Sequence, residues 1–300
     1  MGEVMCGRYA STRKRIELLE EFSVQRDAVA EELKPDYNVA PTKPVYAVLD
    51  RVEAPSADDA VSGGIDSRDD AARAEARSNA RPHVERELRV VRWGLVPFWA
   101  KDVKIGSRMI NARAETIAEK PAFRRAFAKR RCLLPADGYY EWQSTPGAPK
   151  QPMYITRADG LSLAFAGLYE LWRDPAVERD DPDAWLWTTT VITTSAPDEL
   201  GMIHDRMPMI IDPAGWADWL EPANSEVADV RALLAPAAAS GLTTFPVSTE
   251  VNSVRNNGPQ LIEPIGRGPA APLAGAGVST RSGAREGAAD CSDDGTGVLF

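Results

Sequence analysis

Apolar positions along this chain fall mostly in short runs of β-branched and aromatic residues rather than in long helical stripes. The segments 131–134 (RCLL), 138–143 (GYYEWQ), 152–156 (PMYIT), 163–169 (LAFAGLY), 185–194 (WLWTTTVITT), 207–211 (MPMII) and 243–247 (TTFPV) read as strands. Helical spacing is confined to a few places. Ile16, Leu19 and Phe22 recur at helical intervals after Ser11 and Thr12, either of which suits an N-cap, and further short helices are expected over 121–128, 213–220 and 224–234. Strands outnumber helices and do not alternate with them. The pattern therefore predicts an α+β fold with a mostly antiparallel sheet and peripheral helices, not a doubly wound parallel sheet.

Two β-branched runs, VYAVLDR (45–51) and ELRVVRW (87–93), read as hairpin partners separated by a segment of different character. Residues 53–82 contain no aromatic and only Val61 and Ile65 as large aliphatics, so burial cannot offset the entropy of ordering them. They are expected to form a disordered acidic insertion. The Gly-, Ala-, Ser- and Asp-rich stretch 267–300 reads as a disordered C-terminal tail. The remainder fits one domain, 5–266.

Of the 300 residues 44% are apolar, yet no run approaches 18 consecutive apolar residues, and MGEVMCGRYA lacks the basic-then-apolar pattern of a signal peptide. A soluble cytoplasmic protein with no membrane partner is expected. Three cysteines (Cys6, Cys132, Cys291) argue against a disulfide framework, and two histidines (His83, His204) without a CxxC pair are too few for a zinc site. Neither GxGxxG nor a P-loop is present, so no metal or cofactor is expected. The net charge of −9 speaks against nucleic acid, but it averages two blocks. Residues 91–150 carry +7, and residues 151–250 carry −11.

Within and around the basic block lie the residues suited to chemistry. Cys6 follows Met5, and removal of that methionine from a chain started there would expose an α-amine and a thiol on adjacent carbons, a pair that closes a thiazolidine on an aldehyde. A buried, inert cysteine is the alternative. Glu141, flanked by Tyr140 and Trp142, has neighbours that raise a carboxyl pKa and suit a general acid, or it is an outward-facing strand residue. His204 stands beside Asp205 and Arg206 as an acid/base or a loop cap. Asn111 offers a neutral donor and acceptor, and Arg8, Arg108, Arg113 and Arg206 are anion ligands if they converge. In RWGLVPFWAKD (92–102), aromatics alternate with cations as in single-strand binders; Trp93 suits a core, whereas Phe98 and Trp99 follow a proline turn that is hard to bury.

Taken together, MCGRY, YNVAPT (37–42), RWGLVPFWAKD, INARAET (110–116), CLLPADGYYEW (132–142), KQPMYI (150–155), FAGLYE (165–170), VITTSAP (191–197), IHDRMP (203–208) and VNSVRNNGPQLIEPI (251–265) resemble, in order, the motifs of the SRAP (SOS-response-associated peptidase) family of abasic-site processing proteins. The resemblance implies a compact α+β domain with a barrel-like antiparallel sheet. It implies that Cys6, as N-terminal residue, crosslinks to the aldehyde of an abasic site in single-stranded DNA. Asn111 would hydrogen-bond the adduct, Glu141 would assist ring opening and proton transfer, and His204 would protonate the deoxyribose. Arg8, Arg113 and Arg206 would contact flanking phosphates, and Pro41, Trp99 and Trp142 would splay or stack bases. The resemblance would suit autoproteolytic removal of MGEVM as one route to the free amine; Schiff-base chemistry at that amine permits weak lyase activity, and a monomer engaged on DNA is the simplest expectation for a protein that threads a single strand. Two rivals use the same residues: a cysteine peptidase with Cys6 and His204, and a non-enzymatic single-strand binder.

Overall fold

The computed structural model describes residues 6–52, 84–178, 180–181, 184–234, 241–266 and 271–272. The expected insertion 53–82, and the expected tail apart from 271–272, lie outside them. The strands in chain order are β1 (Tyr9–Ser11), β2 (Arg26–Asp27), β3 (Asp36–Val39), β4 (Pro44–Val52), β5 (Val84–Trp93), β6 (Asn111–Arg113) and β7 (Arg131–Ala136). They continue with β8 (Gly138–Gln143), β9 (Gln151–Arg157), β10 (Leu163–Arg173), β11 (Trp185–Ser195), β12 (Arg206–Pro208), β13 (Leu242–Pro246) and β14 (Ala271–Pro272).

The predicted hairpin is present, with Val45 opposite Val91 and Val52 opposite Val84 at the end where the connecting segment leaves and returns. This pair belongs to a closed ring in which β11, β10, β7, β4 and β5 follow one another and β5 returns to β11. All its pairings are antiparallel except the closing one, where Arg92 and Trp93 run parallel to Thr188 and Thr189. The fold is thus α+β with a barrel-like sheet, as expected, though β2–β5 and β6–β11 are parallel too. A second sheet, in the order β14-β13-β9-β8-β1-β3, packs against the barrel. Tyr9 of this sheet sets its ring edge-on to Trp93 and Phe165, 5.2 and 5.8 Å between centroids, which joins the two sheets through one core.

The other side of the barrel is covered by short helices. The helix Arg15–Glu21 buries Leu18, with Phe22 just past its end stacked on Trp216 at 4.4 Å. Its expected cap is displaced: Lys14 is the N-cap, because Ser11 is paired in β1 and the Thr12 amide already donates to Asp137 at 2.6 Å. Ile16, expected to be buried, is 57% exposed. The other helices are Arg124–Lys129, Asp198–Gly201, Trp216–Leu220 and Val227–Ala232. Arg131, 3% exposed, ties two of them to the barrel by donating to the carbonyls of Phe127, Ala128, Trp219, Glu221 and Asn224. Last-turn carbonyls lack intrahelical partners, and a guanidinium satisfies several at once.

The feature that positions the site is the far end of β11. After β5 leaves its edge, the chain makes an excursion through 94–110 and returns as β6 on the same edge, Asn111 opposite Val191 and Arg113 opposite Thr193. On the other edge β12 takes over from β10, with Arg206 opposite Ser195. The excursion is pinned where Gly94 and Gly106 meet: a Cβ on Gly94 would lie 2.7 Å from the Gly106 carbonyl oxygen.

Candidate functional site

Cys6 enters β1 with its backbone at φ +45°, a conformation uncommon for a side-chain-bearing residue and often found where function demands it. The residue is 4% exposed. Its backbone N–H donates to Glu141 Oε1 at 2.8 Å, and its thiol donates to the Arg206 carbonyl at 3.8 Å. Burial first, and the Glu141 charge second, push the thiol pKa well up, with Arg206 opposing them. Cys6 is therefore held as a thiol, and a nucleophilic thiolate requires a neighbour to take the proton. Cys132, pushed up to about 12 by burial inside the barrel, has no such neighbour in contact; its sulfur meets the Thr189 hydroxyl at 3.5 Å.

Glu141 reaches Cys6 because β8 runs antiparallel to β1, Tyr139 opposite Tyr9. It is 4% exposed, so the outward-facing alternative does not hold. Burial raises its pKa, opposed by the hydrogen bonds from Cys6 and by His204. A carboxyl whose pKa is raised in this way holds a proton more readily than a solvated one and can accept and return it. His204 Nδ1 accepts the Arg206 backbone N–H at 3.1 Å, which leaves the proton of the neutral ring on Nε2. Asp205 Oδ1 lies 3.0 Å from the same Nδ1. The Arg206 peptide thus touches the nucleophile with its carbonyl and the imidazole with its amide.

Around this cluster the remaining predicted residues fall into two groups. Arg8 donates to Asn38 Oδ1 at 2.7 Å and to the Val251 carbonyl at 2.8 Å, and lies 5.7 Å from the Trp142 ring, whose Nε1 donates to Asn252. Asn38 also holds the carbonyls of Val251, Ser253 and Asn256, so the 251–258 loop forms a fixed wall behind Trp142. Asn111 and Arg113 stand on β6, Asn111 partly buried and Arg113 exposed. Pro41 is partly exposed on the turn between β3 and β4, and Trp99 is 50% exposed on the 94–110 excursion. Phe98 is equally exposed and carries the Arg125 guanidinium 4.6 Å from its ring, while Trp93 is core, as expected. Arg108 is exposed on the same excursion.

Arg206, expected as a phosphate ligand, is paired within the protein. Its side chain is 10% exposed, and its two terminal nitrogens are bound bidentately by Glu115, at 2.5 and 3.0 Å, with one also on the Thr193 carbonyl. Glu115 was not among the sequence candidates. It lies in the turn just past β6, where strand alternation no longer marks the direction a side chain takes. Among the described residues no group of three or more His, Cys, Asp or Glu side chains is placed to hold a metal ion.

The chain is 37% identical to the abasic site processing protein YoqW of Bacillus subtilis over 259 residues, 86% of this chain and 99% of that one. It is 34% identical to the abasic site processing protein HMCES of Gallus gallus over 204 residues, 60% of this chain and 58% of that one. A crystal structure of a Bacteroides thetaiotaomicron protein superposes with a TM-score of 0.64 at 27% identity, covering 86% of this chain and 99% of that chain. The model of the SOS response associated peptidase (SRAP) family matches residues 5–254, a span that takes in the whole Cys6, Glu141 and His204 cluster, and the chain belongs to that family.

Proposed function

We propose that this protein processes abasic sites in single-stranded DNA by capturing the ring-opened aldehyde covalently on Cys6, after residues 1–5 have been removed. The observation that carries the reading is the 2.8 Å contact between the Cys6 nitrogen and the buried Glu141 carboxyl, with the thiol on the adjacent carbon anchored to Arg206. In the shortened chain that nitrogen is the α-amine. His204 Nε2–H donates a hydrogen bond to the deoxyribose ring oxygen as the C1′–O4′ bond breaks, and the C1′ hydroxyl proton passes through solvent water to that oxygen, which leaves the aldehyde. Glu141 takes a proton from the α-ammonium, and the amine attacks the aldehyde carbon to give a carbinolamine. The proton returns to the leaving hydroxyl, which departs as water and leaves an imine. The Cys6 sulfur then adds to the imine carbon while its proton passes to the imine nitrogen, closing a five-membered thiazolidine with net loss of one water.

Recognition in this reading rests on the backbone and on stacking, since an abasic site has no base edge to read. Arg8 and Arg113 supply charge, Asn111 hydrogen-bonds the adduct, and Trp142, Trp99 and Pro41 supply apolar faces. Two relatives named as abasic site processing proteins support the substrate class. The peptidase reading draws less support, because the Cys6 thiol donates to a carbonyl rather than to the imidazole and burial keeps it protonated. Weak lyase activity would follow if, before the thiol added, the imine lost its C2′ proton and expelled the 3′-phosphate by β-elimination.

The test is incubation of the processed protein with an oligonucleotide whose uracil has been excised by a glycosylase. A denaturation-resistant complex is expected for wild type and none for Cys6→Ala or for protein whose α-amine is blocked. A complex that survives amine blocking refutes thiazolidine formation. Intact-mass measurement of the purified protein establishes whether residues 1–5 are gone.

A further inference from the structure

We infer that Glu115 is a positioning residue that, by clasping the Arg206 guanidinium, holds the Arg206 peptide against both Cys6 and His204 and fixes which imidazole nitrogen carries the proton. Among the described residues, Arg206 is the one whose backbone hydrogen-bonds both groups, its carbonyl 3.8 Å from Cys6 Sγ and its amide 3.1 Å from His204 Nδ1. Its side chain spans β11, one terminal nitrogen lying on the Thr193 carbonyl and hydroxyl, to reach Glu115 just beyond β6. The clasp therefore ties β12, which carries Arg206, to the segment that carries Asn111 and Arg113. Both carboxylate oxygens are used, the geometry in which a guanidinium is held in orientation as well as in place. Arg206 Nε is buried without a hydrogen-bond partner, so apart from the Thr193 contacts of one terminal nitrogen the guanidinium is held by Glu115.

The charges around His204 make the orientation matter. Glu141 faces it from β8, and Asp205 lies 3.0 Å from Nδ1 on its own loop. With the Arg206 amide in place, Nδ1 is an acceptor and Nε2 bears the proton. If Arg206 moves, Nδ1 is free to take the proton and donate to Asp205, and Nε2 loses the proton that the proposed ring-opening step requires. Releasing Arg206 also exposes a cation next to Arg113 and deletes a carboxylate, so DNA affinity should not fall.

This inference rests on the abasic-site reading for its rate consequence, but its structural half can be read without DNA. Because the chain has only two histidines, the ring nitrogens of His204 and His83 are resolved by ¹⁵N NMR on the full processed chain. Wild type should show the neutral His204 ring as the Nε2–H tautomer. Glu115→Ala should show a mixture, with His83 unchanged, and Glu115→Gln, which keeps one acceptor, should fall between them. On an abasic oligonucleotide at saturating concentration, Glu115→Ala should lower the single-turnover crosslinking rate about tenfold without raising the half-saturating DNA concentration, since small misplacements of acid/base groups cost rate rather than binding. An unchanged tautomer in Glu115→Ala, or a rate loss recovered entirely by more DNA, overturns the inference. If Glu115→Ala does not fold, Glu115→Gln decides by the same two readouts. A shifted tautomer with no crosslink even in wild type leaves the clasp standing and overturns the abasic-site reading.

Discussion

The excursion that carries Trp99 and returns as β6 at Asn111 depends on two glycines meeting face to face, and replacing one of them is a sharp test of how the site is mounted. Gly94 has φ +123°, and a Cβ there would meet the Gly106 carbonyl oxygen at 2.7 Å and its carbonyl carbon at 3.0 Å. The obstruction is backbone, so no side-chain rotation relieves it. Gly94→Ala thus combines positive-φ strain, about 1–2 kcal/mol, with overpacking, about 1–3 kcal/mol. Gly147 is the control: it has φ +78°, and nothing lies within 4 Å of the position its Cβ would take, so Gly147→Ala carries the strain alone. Urea unfolding of both variants, with unchanged m-values, should show Gly94→Ala the less stable by about 1–3 kcal/mol. Binding of single-stranded DNA, measured under conditions where both variants are folded, should weaken for Gly94→Ala and not for Gly147→Ala. If the two variants unfold within about 0.5 kcal/mol of each other, the close approach is not what fixes the loop, and the argument that it positions Trp99 and Asn111 fails.

Further outcomes follow from the same geometry. Glu141→Gln keeps an acceptor for the Cys6 nitrogen but removes a buried charge. Because burial raises the Glu141 pKa in the fold, wild type loses stability as pH rises from the ordinary carboxyl range through the folded value. Thermal melting should therefore show the Gln variant more stable at pH 7, with the difference vanishing in acid, while crosslinking is lost; an advantage that persists below the ordinary carboxyl pKa would show that charge burial is not its cause. Trp142→Ala should weaken single-stranded DNA binding by about 1–3 kcal/mol, read by fluorescence anisotropy, with the salt dependence little changed because stacking and not charge is removed. Arg131→Ala leaves carbonyls of two helices without their partner and should cost about 3–5 kcal/mol in urea unfolding.

How far the chain could be read before folding differs by kind of feature. The long strands and the hairpin of 45–51 with 87–93 were legible because β-branched runs bounded by turn residues carry their own signal. The three-residue strands β1, β6 and β12 were not all so visible: only part of β12 lay in a predicted run, since a strand of three residues has too little pattern to stand out and is held by its neighbours' edges. Ile16 shows the same limit in a helix, where spacing allowed more than one buried face and packing on the barrel chose Leu18 and Phe22.

The sequence by itself determined the strand-rich α+β class, the ordered motifs, and the residue types able to react with an aldehyde, because these are local properties of composition and spacing. It also located the basic block that holds Asn111, Arg113, Glu141 and Trp142. Only the tertiary structure decided which of the arginines face outward. Arg113 is exposed, whereas Arg206, alike in sequence, is neutralised by Glu115 from across β11. It also decided that Cys6 and Glu141, 135 residues apart, share a hydrogen bond in a buried pocket. Burial, charge and proton position depend on what the opposite strand brings, and sheet pairing between distant segments is the one relation that local pattern does not encode.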